Sequence, residues 1–271
     1  MTIFLLPLVC ATIRGVVTEP RVIAVANQKG GVGKTTTAVN LAASLAVAER
    51  RVLLIDLDPQ GNATSGVGWR RDGASGSYEV LLGASKAADA VRKTGLGFLD
   101  LIPSDVHLAG AEVELVGLPE REFFLRRAIE SVVGSYDYVF IDCPPSLGLL
   151  TVNALVAARS VLVPVQCEYY AMEGLSRLLE TITHLQASVN PGLAIEGILL
   201  TMYDPRNNLA VQVASEVRRH FGERVFESII PRNVTLAEAP SHGQPVVLYQ
   251  VASRGAQLYL QLAKEVLKRT A

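Results

Sequence analysis

The chain has 271 residues, of which 49% are hydrophobic and only 6% aromatic. This length is enough for one large domain with a substantial core, and the composition favours helices packed on a parallel sheet over an aromatic-rich β-sandwich. The 25 basic and 26 acidic residues leave a net charge of −1. Overall charge therefore excludes a strongly basic nucleic-acid-binding protein, and any such binding needs a local basic patch.

The cysteines and the N-terminal residues bear on compartment and domain boundaries. Cys10, Cys143 and Cys167 lack metal-ligand spacing, and their odd number is typical of a reducing cytoplasm. Residues 1–13 are mostly apolar but form too short a run to span a bilayer. We expect residues 1–20 to be a loosely ordered extension, or in part to precede the real start, and residues 21–271 to form one domain. A membrane-touching segment stays open as an alternative.

Apolar runs alternate with helical patterns along the rest of the chain. Runs typical of buried strands fall at residues 22–26, 51–58, 98–104, 138–142, 161–166, 195–202, 228–231 and 246–249. Helical spacing of apolar residues falls at 36–48, 79–93, 106–117, 120–133, 147–158, 171–189, 208–221 and 253–269. This alternation predicts the α/β class, with a single doubly wound, mostly parallel β-sheet and helices on both faces.

The stretch between the first predicted strand and the first predicted helix has the pattern of a phosphate-binding loop. Its glycines let successive backbone N–H groups point at phosphate oxygens, and the helix N-terminus adds partial positive charge. Lys34 is predicted to reach the β- and γ-phosphates, and the Thr35 hydroxyl to hold Mg²⁺. The predicted nucleotide-binding residues of this loop are Lys29, Gly30, Gly31, Val32, Gly33, Lys34, Thr35 and Thr36.

Carboxylates follow two of the predicted strands, at the edge of a parallel sheet where ligands bind. Asp142 ends the run at 138–142, as expected of the carboxylate that holds Mg²⁺ opposite Thr35. Capping of the next helix is the alternative role for this residue. Asp58 is the candidate for positioning the attacking water, with Asp56 supporting the loop or the metal. Either residue could instead be structural.

The loop departs from the general pattern at two positions. Gln28 stands where G-x-x-x-x-G-K-[ST] has its first glycine, and Lys29 adds a second lysine. Phosphoryl transfer gains from an extra cation, so Lys29 could complete the site of another subunit across a two-fold dimer. From the residues alone, this role and that of a solvated lysine stay equally open.

Several segments resemble one family. Residues 29–36, Lys-Gly-Gly-Val-Gly-Lys-Thr-Thr, resemble the deviant Walker A motif of the ParA/MinD class of P-loop ATPases. Segments that resemble its ParA/Soj chromosome-partition branch lie at residues 56–65, 141–148, 165–171, 173–174, 231–234 and 238–243. The resemblance runs from about residue 21 to residue 269, so the chain is identified as a member of this branch of P-loop NTPases.

The resemblance implies an ATP hydrolase that uses ATP and Mg²⁺ and forms a sandwich homodimer when ATP binds. Its catalytic residues would be Lys34, Lys29, which would contact the nucleotide of the partner subunit, and Asp58, which hydrolysis would require. Gly30 would lie where the two subunits approach most closely, so that a side chain there should clash. The residues implied to lie against the adenine and ribose are Pro231, Arg232 and Asn233.

The resemblance also implies non-specific binding of double-stranded DNA by the dimer, and a ParB-type centromere-binding protein that stimulates hydrolysis. These properties would serve chromosome or plasmid partition at the nucleoid, and no stable membrane association is expected. Candidate DNA contacts are Arg206, Arg218, Arg219, Arg224 and Arg232. Thr235 stands where relatives often have an arginine, so we expect DNA binding with a shallower dependence on salt.

Two other functions stay open at this point. A MinD-like positioning ATPase would act on a membrane or a protein scaffold in place of DNA. A nucleotide-switched regulator of replication initiation would bind ATP without hydrolysing it. Retention on DNA or on anionic liposomes separates the first from a partition ATPase, and measured turnover separates the second.

Overall fold

The computed structural model describes residues 19–70 and 73–269. The extension predicted for residues 1–20 therefore lies outside the described residues, apart from Glu19 and Pro20. In this part of the chain no helix is both long enough and apolar enough to cross a membrane.

One sheet of eight strands organises the described residues. The strands are β1 Arg21–Val25, β2 Val52–Asp56, β3 Arg92–Lys93, β4 Leu99–Ile102, β5 Tyr138–Asp142, β6 Ser160–Gln166, β7 Ala194–Tyr203 and β8 Val225–Pro231. Their order across the sheet is β3-β4-β2-β5-β1-β6-β7-β8. All neighbours run parallel except β3 and β4, which pair antiparallel. The predicted fold class is confirmed, with an antiparallel edge strand added.

Helices connect the strands and cover the sheet. They are α1 Lys34–Val47, α2 Asn62–Gly66, α3 Ser77–Leu81, α4 Ala87–Ala90, α5 Leu108–Leu115, α6 Phe124–Val133, α7 Leu149–Ala157, α8 Ala171–Ser188, α9 Asn208–Phe221, α10 Val234–Glu238, α11 Val246–Tyr249 and α12 Arg254–Lys268. Short 3₁₀ turns lie at Arg121–Phe123, Gly222–Arg224 and Ala239–His242. Most predicted elements are present, with ends that differ by a few residues.

Two apolar cores lie on opposite faces of the sheet, because successive strand residues point to opposite sides. Ile23 of β1 packs into one core with Leu41 of α1 and Tyr259 of α12. Val22, its neighbour in β1, packs into the other core with Leu150 of α7. Central strands buried on both faces must be apolar at every position, which explains the continuous runs in the sequence.

The register of the central strands places the loops that follow β1, β2 and β5 side by side. Val25 and Asp56 are both paired with Asp142, so β1, β2 and β5 end side by side. The segments that follow these strands therefore emerge together at the carboxyl edge of the sheet, where parallel sheets bind ligands. This is how the fold assembles the site.

The strand predicted at residues 246–249 is wrong, since Val246–Tyr249 is a single helical turn. The backbone N–H of Val246 donates to Asn40 Oδ1 in α1 at 2.7 Å, which starts the turn against that helix. Four residues are too few for apolar spacing to separate a helical turn from a short strand.

The helix predicted at residues 79–93 is also wrong. The structure has α3 and α4 there, separated by Gly83 at φ 76°, a left-handed conformation that interrupts a helix. Arg92 and Lys93 then pair antiparallel with Leu101 and Asp100 at the edge of the sheet. Tertiary pairing outweighs the local apolar spacing in this segment.

Candidate active site

The loop between β1 and α1 is held in shape by its own glycines and by neighbouring strands. Gly31 and Gly33 have φ angles of 74° and 86°, which side-chain-bearing residues rarely adopt. Thr201 of β7 donates its hydroxyl to the Val32 carbonyl at 2.9 Å. Asn27 donates its amide to a β6 carbonyl at 2.7 Å. These contacts place the loop over the N-terminus of α1, a geometry that suits a phosphate group.

The two lysines of the loop lie in different surroundings. Lys34 is buried, and its Nζ donates to the Lys29 carbonyl at 3.0 Å. The Lys29 ammonium instead pairs with the Glu168 carboxylate, and both side chains are about one-third exposed, at 37% and 36%. Burial lowers the pKa of Lys34, and the negative charge of Asp142 opposes that effect. Only Lys34 lies within the curve of its own loop.

Asp56 and Asp58 follow each other at the end of β2 but have different partners. The buried Asp56 carboxylate accepts hydrogen bonds from the Asp58 N–H at 3.2 Å, the Thr64 N–H at 2.7 Å and the Thr64 hydroxyl at 2.6 Å. Asp58 accepts from the Gln60 N–H at 3.0 Å, and its carbonyl accepts from the Ser104 hydroxyl at 2.7 Å. Asp56 therefore anchors the turn that carries Asp58.

Asp142 presents a buried carboxylate next to Thr35. Neither oxygen has a hydrogen bond of normal geometry with a described residue. Burial raises the pKa of Asp142 well above its usual range, the charge of Asp56 adds to the rise, and the Thr35 hydroxyl and Lys34 ammonium oppose it. A buried carboxylate without partners is costly, so this site favours a bound cation.

The donor set at Asp142 and Thr35 fits Mg²⁺. Magnesium prefers oxygen ligands and is usually held by one or two carboxylates together with substrate phosphates. No group of three or more His, Cys, Asp or Glu side chains that could hold a metal is found within residues 19–70 and 73–269. The arrangement therefore suits a magnesium ion shared with a nucleotide, since the protein alone supplies few ligands.

A cavity of about 390 Å³ lies beside the loop, at the end of β8. Pro231, Arg232 and Asn233 line it together with Gly33 and Thr36. Its volume falls within the range of small-molecule sites. Asn233 also caps α10, because its Oδ1 accepts a backbone N–H at 3.1 Å. The fold thus brings Pro231, Arg232 and Asn233 next to the loop.

A larger cavity of about 480 Å³ lies at the amino ends of β1 and β6, lined in part by Val22, Arg126 and Arg159. It contains none of the predicted site residues. In parallel sheets ligands bind at the carboxyl ends of the strands, so the smaller cavity beside the loop is the better candidate despite its size.

The candidate DNA-contacting arginines lie in the chain after the end of β7, and the last of them, Arg232, directly follows β8. Arg206 pairs with Asp204 through contacts of 3.0 and 2.8 Å, and its hydrogen bonds lower the pKa of Asp204 to about 2. Arg218 donates to two β8 carbonyls at 3.3 and 3.4 Å. Arg219 contacts Glu216 at 3.4 Å. All five candidates are exposed: Arg206, Arg218, Arg219, Arg224 and Arg232.

Three contacts of the site were not assigned by sequence reasoning. Glu168, the partner of Lys29, lies in the segment 165–171 but has no role assigned from the sequence. Thr201 and the Asn27 amide, which hold the loop, were also missed. Each of these contacts joins residues more than one hundred positions apart. Such contacts depend on strand order, which local patterns do not reveal.

The parallel sheet, the loop at the N-terminus of α1 and the Asp142–Thr35 pair define a P-loop nucleoside triphosphatase. Comparison with known proteins gives the family. The chain matches the AAA_31 family, described as an AAA domain, over residues 20–195. It is 56% identical to the chromosome partitioning protein ParA of Myxococcus xanthus, covering 94% of this chain and 91% of the relative.

Two further relatives extend the comparison. The sporulation initiation inhibitor protein Soj of Bacillus subtilis is 56% identical, covering 91% of this chain and 98% of the relative. A crystal structure of cobyrinic acid a,c-diamide synthase from Mycobacterium smegmatis with bound ADP and magnesium is 41% identical, with a TM-score of 0.80 over 92% of this chain and 95% of that one. The chain belongs to the ParA/Soj family of chromosome-partitioning ATPases.

Proposed function

We propose that this ATPase is a nucleotide-switched DNA-partition protein. ATP binding closes a homodimer, the dimer binds double-stranded DNA non-specifically at the nucleoid, and a ParB-type partner stimulates hydrolysis and release. The chain is an ATP hydrolase that acts with ATP and Mg²⁺, as the family and the ADP- and magnesium-bound relative indicate. Dimerisation, DNA binding and the partner are the parts that we add.

Each residue of the site has a role in this proposal. Lys34 and the loop N–H groups bind the β- and γ-phosphates, while Thr35 and Asp142 hold Mg²⁺, which neutralises phosphate charge. Asp58 orients the attacking water, since Asp56 holds its turn in place. Pro231, Arg232 and Asn233 bind the adenosine part of the nucleotide.

The observation that carries the dimer is the position of Lys29. Its side chain is partly exposed and pairs with Glu168, whereas Lys34 already occupies the inner side of the loop. A second lysine held at the mouth of the site is available to a nucleotide bound by another subunit. A Cβ added at Gly30 would lie 3.7 Å from Pro145 Cβ, an ordinary contact, so a side chain there fits the monomer.

The dimer proposal is tested by two substitutions at the loop. Lys34→Ala should abolish ATP binding and every later step. Lys29→Ala should leave ATP binding to the monomer largely intact and abolish the ATP dimer, as measured by nucleotide titration and light scattering. Gly30→Val should behave like Lys29→Ala in the dimer assay. Equal loss of nucleotide binding and dimerisation in Lys29→Ala would contradict the role across the interface.

The DNA proposal is tested by retention of the protein on non-specific duplex DNA with ATP at rising salt. Retention should require ATP, fall with salt, and weaken in Arg224→Ala, which changes a residue outside the nucleotide cavity. Addition of a ParB-type partner with DNA should raise turnover. Retention on anionic liposomes and not on DNA would favour a MinD-like protein, and absence of hydrolysis under every condition would favour the replication regulator.

A further inference from the structure

Exposed apolar side chains lie in α5 and in the residues on either side of it. Four large side chains lie there in a short stretch and are 62%, 77%, 57% and 40% exposed: Val106, Val113, Val116 and Leu118. We call these four residues the α5 apolar face. Val113 lies in α5, away from the buried residues Leu108, Ala111 and Leu115, and Val116, the residue that caps the helix, follows it by three positions. Scattered exposed apolar residues are ordinary, but a contiguous group marks an interaction site.

Carboxylates flank this face. Residues 105–122 contain five acidic residues and one arginine, a net charge of −4, in a chain whose net charge is −1. Glu120 and Glu122 pair with arginines. Asp105, Glu112 and Glu114 form no ion pair with any residue of the described ranges. The α5 apolar face is therefore bordered by three carboxylates that form no ion pair with a described basic residue.

The two flanking glutamates contact α7 and α3, two helices near the loops that carry the site aspartates. Glu112 Oε1 accepts the Leu150 N–H at 3.4 Å, at the start of α7, just after the loop that follows Asp142. Glu114 Oε1 accepts the Tyr78 hydroxyl at 2.9 Å in α3. The neighbouring Ser77 hydroxyl donates to the Asp56 carbonyl. A partner seated on α5 would thus contact residues that are bonded to α7 and to α3, the helix whose Ser77 reaches Asp56.

We infer that the α5 apolar face is a docking surface for an amphipathic helix with basic flanks, supplied by a partner protein that alters hydrolysis. The apolar stripe of the partner helix would bury the valines of the α5 apolar face. Lysines or arginines on either side of that stripe would face the acidic residues that border the α5 apolar face. Two copies of this chain meeting here would bring like charges together, and an anionic bilayer would be repelled. The effect on hydrolysis rests on the proposed function, whereas the docking itself does not.

The docking is tested with a labelled 18-residue helical peptide of leucine and lysine, and with a leucine–glutamate peptide of the same pattern. The wild type should bind the lysine peptide more weakly as salt rises, and the glutamate peptide much less. Val113→Ser with Val116→Ser should weaken binding about tenfold or more. Val251→Ser, at another exposed valine, is the matched control and should bind normally. Equal binding by the double variant, or by the glutamate peptide, overturns the proposal.

Two further measurements separate the possible outcomes. Basal ATP hydrolysis and ATP-dependent dimerisation should be unchanged in the double valine variant, since neither residue lies in the active site. The lysine peptide should change the turnover of the wild type and not of the variant; peptide binding without any change in turnover overturns the link to hydrolysis. Self-association of the wild type that the double substitution abolishes would identify a second copy as the occupant and overturn the partner proposal.

Discussion

At the scale of single residues, two neighbouring aspartates illustrate how hydrogen bonding sets the cost of burial. Asp56 and Asp142 are paired across β2 and β5 and both are fully buried. Asp56 accepts three hydrogen bonds, whereas Asp142 has no partner of normal geometry within the described residues. The hydrogen bonds therefore offset part of the cost of burying the Asp56 carboxylate, whereas the Asp142 carboxylate is left for a cation.

Asp142→Asn should therefore stabilise the nucleotide-free protein and abolish its response to nucleotide. We expect a gain of about 1 kcal/mol in the free energy of unfolding at pH 8, since a buried carboxylate without a hydrogen bond of normal geometry is removed. The wild type should gain about 2.7 kcal/mol from MgATP at one hundred times its dissociation constant, and the variant almost nothing. Urea denaturation with and without MgATP measures both. Asp56→Asn, which breaks satisfied hydrogen bonds, should instead destabilise; the same gain in both variants would contradict this account.

Titration of Asp56 should make the stability of the fold depend on pH. Burial raises the pKa of Asp56 to about 6, above the value of about 3.9 for an unfolded chain. Between these two values the folded state binds more protons, so stability falls as pH rises from about 4 to about 6. Urea denaturation from pH 4 to pH 8 without nucleotide measures the free energy of unfolding of the wild type and of Asp56→Asn. The difference between these two free energies should change from about pH 4 to about pH 6 and level off above it. A flat difference would refute the raised pKa.

That Lys34, Thr35 and Asp142 lie together could be predicted because the loop and the strand ends are local patterns. The glycines, Lys34, Thr35 and Asp142 lie in short motifs whose spacing sets their geometry. The partners of these residues were not predictable in the same way. Glu168 contacts Lys29, and Thr201 supports Val32, only because β6 and β7 lie beside β1 in the sheet order.

At the scale of elements, the predicted and observed secondary structure agree best for strands that are buried on both faces of the sheet. The central strands read as continuous apolar runs because both faces are covered, and the long helices α1, α8, α9 and α12 have enough turns to show their spacing. The errors lie in short pieces. The five-residue helices α2 and α10 were not predicted, and α11 was predicted as a strand, since one helical turn is stabilised by tertiary contacts more than by its own sequence.

The position of α11 gives an element-scale prediction. Asn40 of α1 accepts the Val246 N–H at 2.7 Å and donates to the Thr36 carbonyl at 2.8 Å, and both Asn40 and Val246 are buried. Asn40→Ala leaves the Val246 N–H buried without a partner, which should cost about 1–3 kcal/mol of stability in urea denaturation. Asn62→Ala, at an exposed position, should change stability by no more than about 0.5 kcal/mol. Equal effects of the two substitutions would argue against the bond as the anchor of α11.

At the scale of the whole molecule, the proposed function gives Lys29 one partner in the single chain and another in the dimer. In the single chain Lys29 is paired with Glu168, on the segment that joins β6 to α8. In the proposed dimer the same ammonium contacts the nucleotide of the other subunit, so the ion pair must open. In this proposal the ion pair therefore opposes dimerisation. The free energy of the ion pair sets the upper limit of that opposition.

Glu168→Gln should lower the ATP concentration at which half the protein is dimeric. Both side chains are about one-third exposed, and ion pairs this accessible are worth about 0.2–1 kcal/mol, so the shift should not exceed about fivefold. Light scattering across an ATP titration measures it. Glu173→Gln is the matched control, because Glu173 pairs with Arg177 on α8 and not with the loop. A requirement for more ATP in Glu168→Gln would show that Glu168 supports the dimer, because the loss of a competing partner for Lys29 can only favour dimerisation.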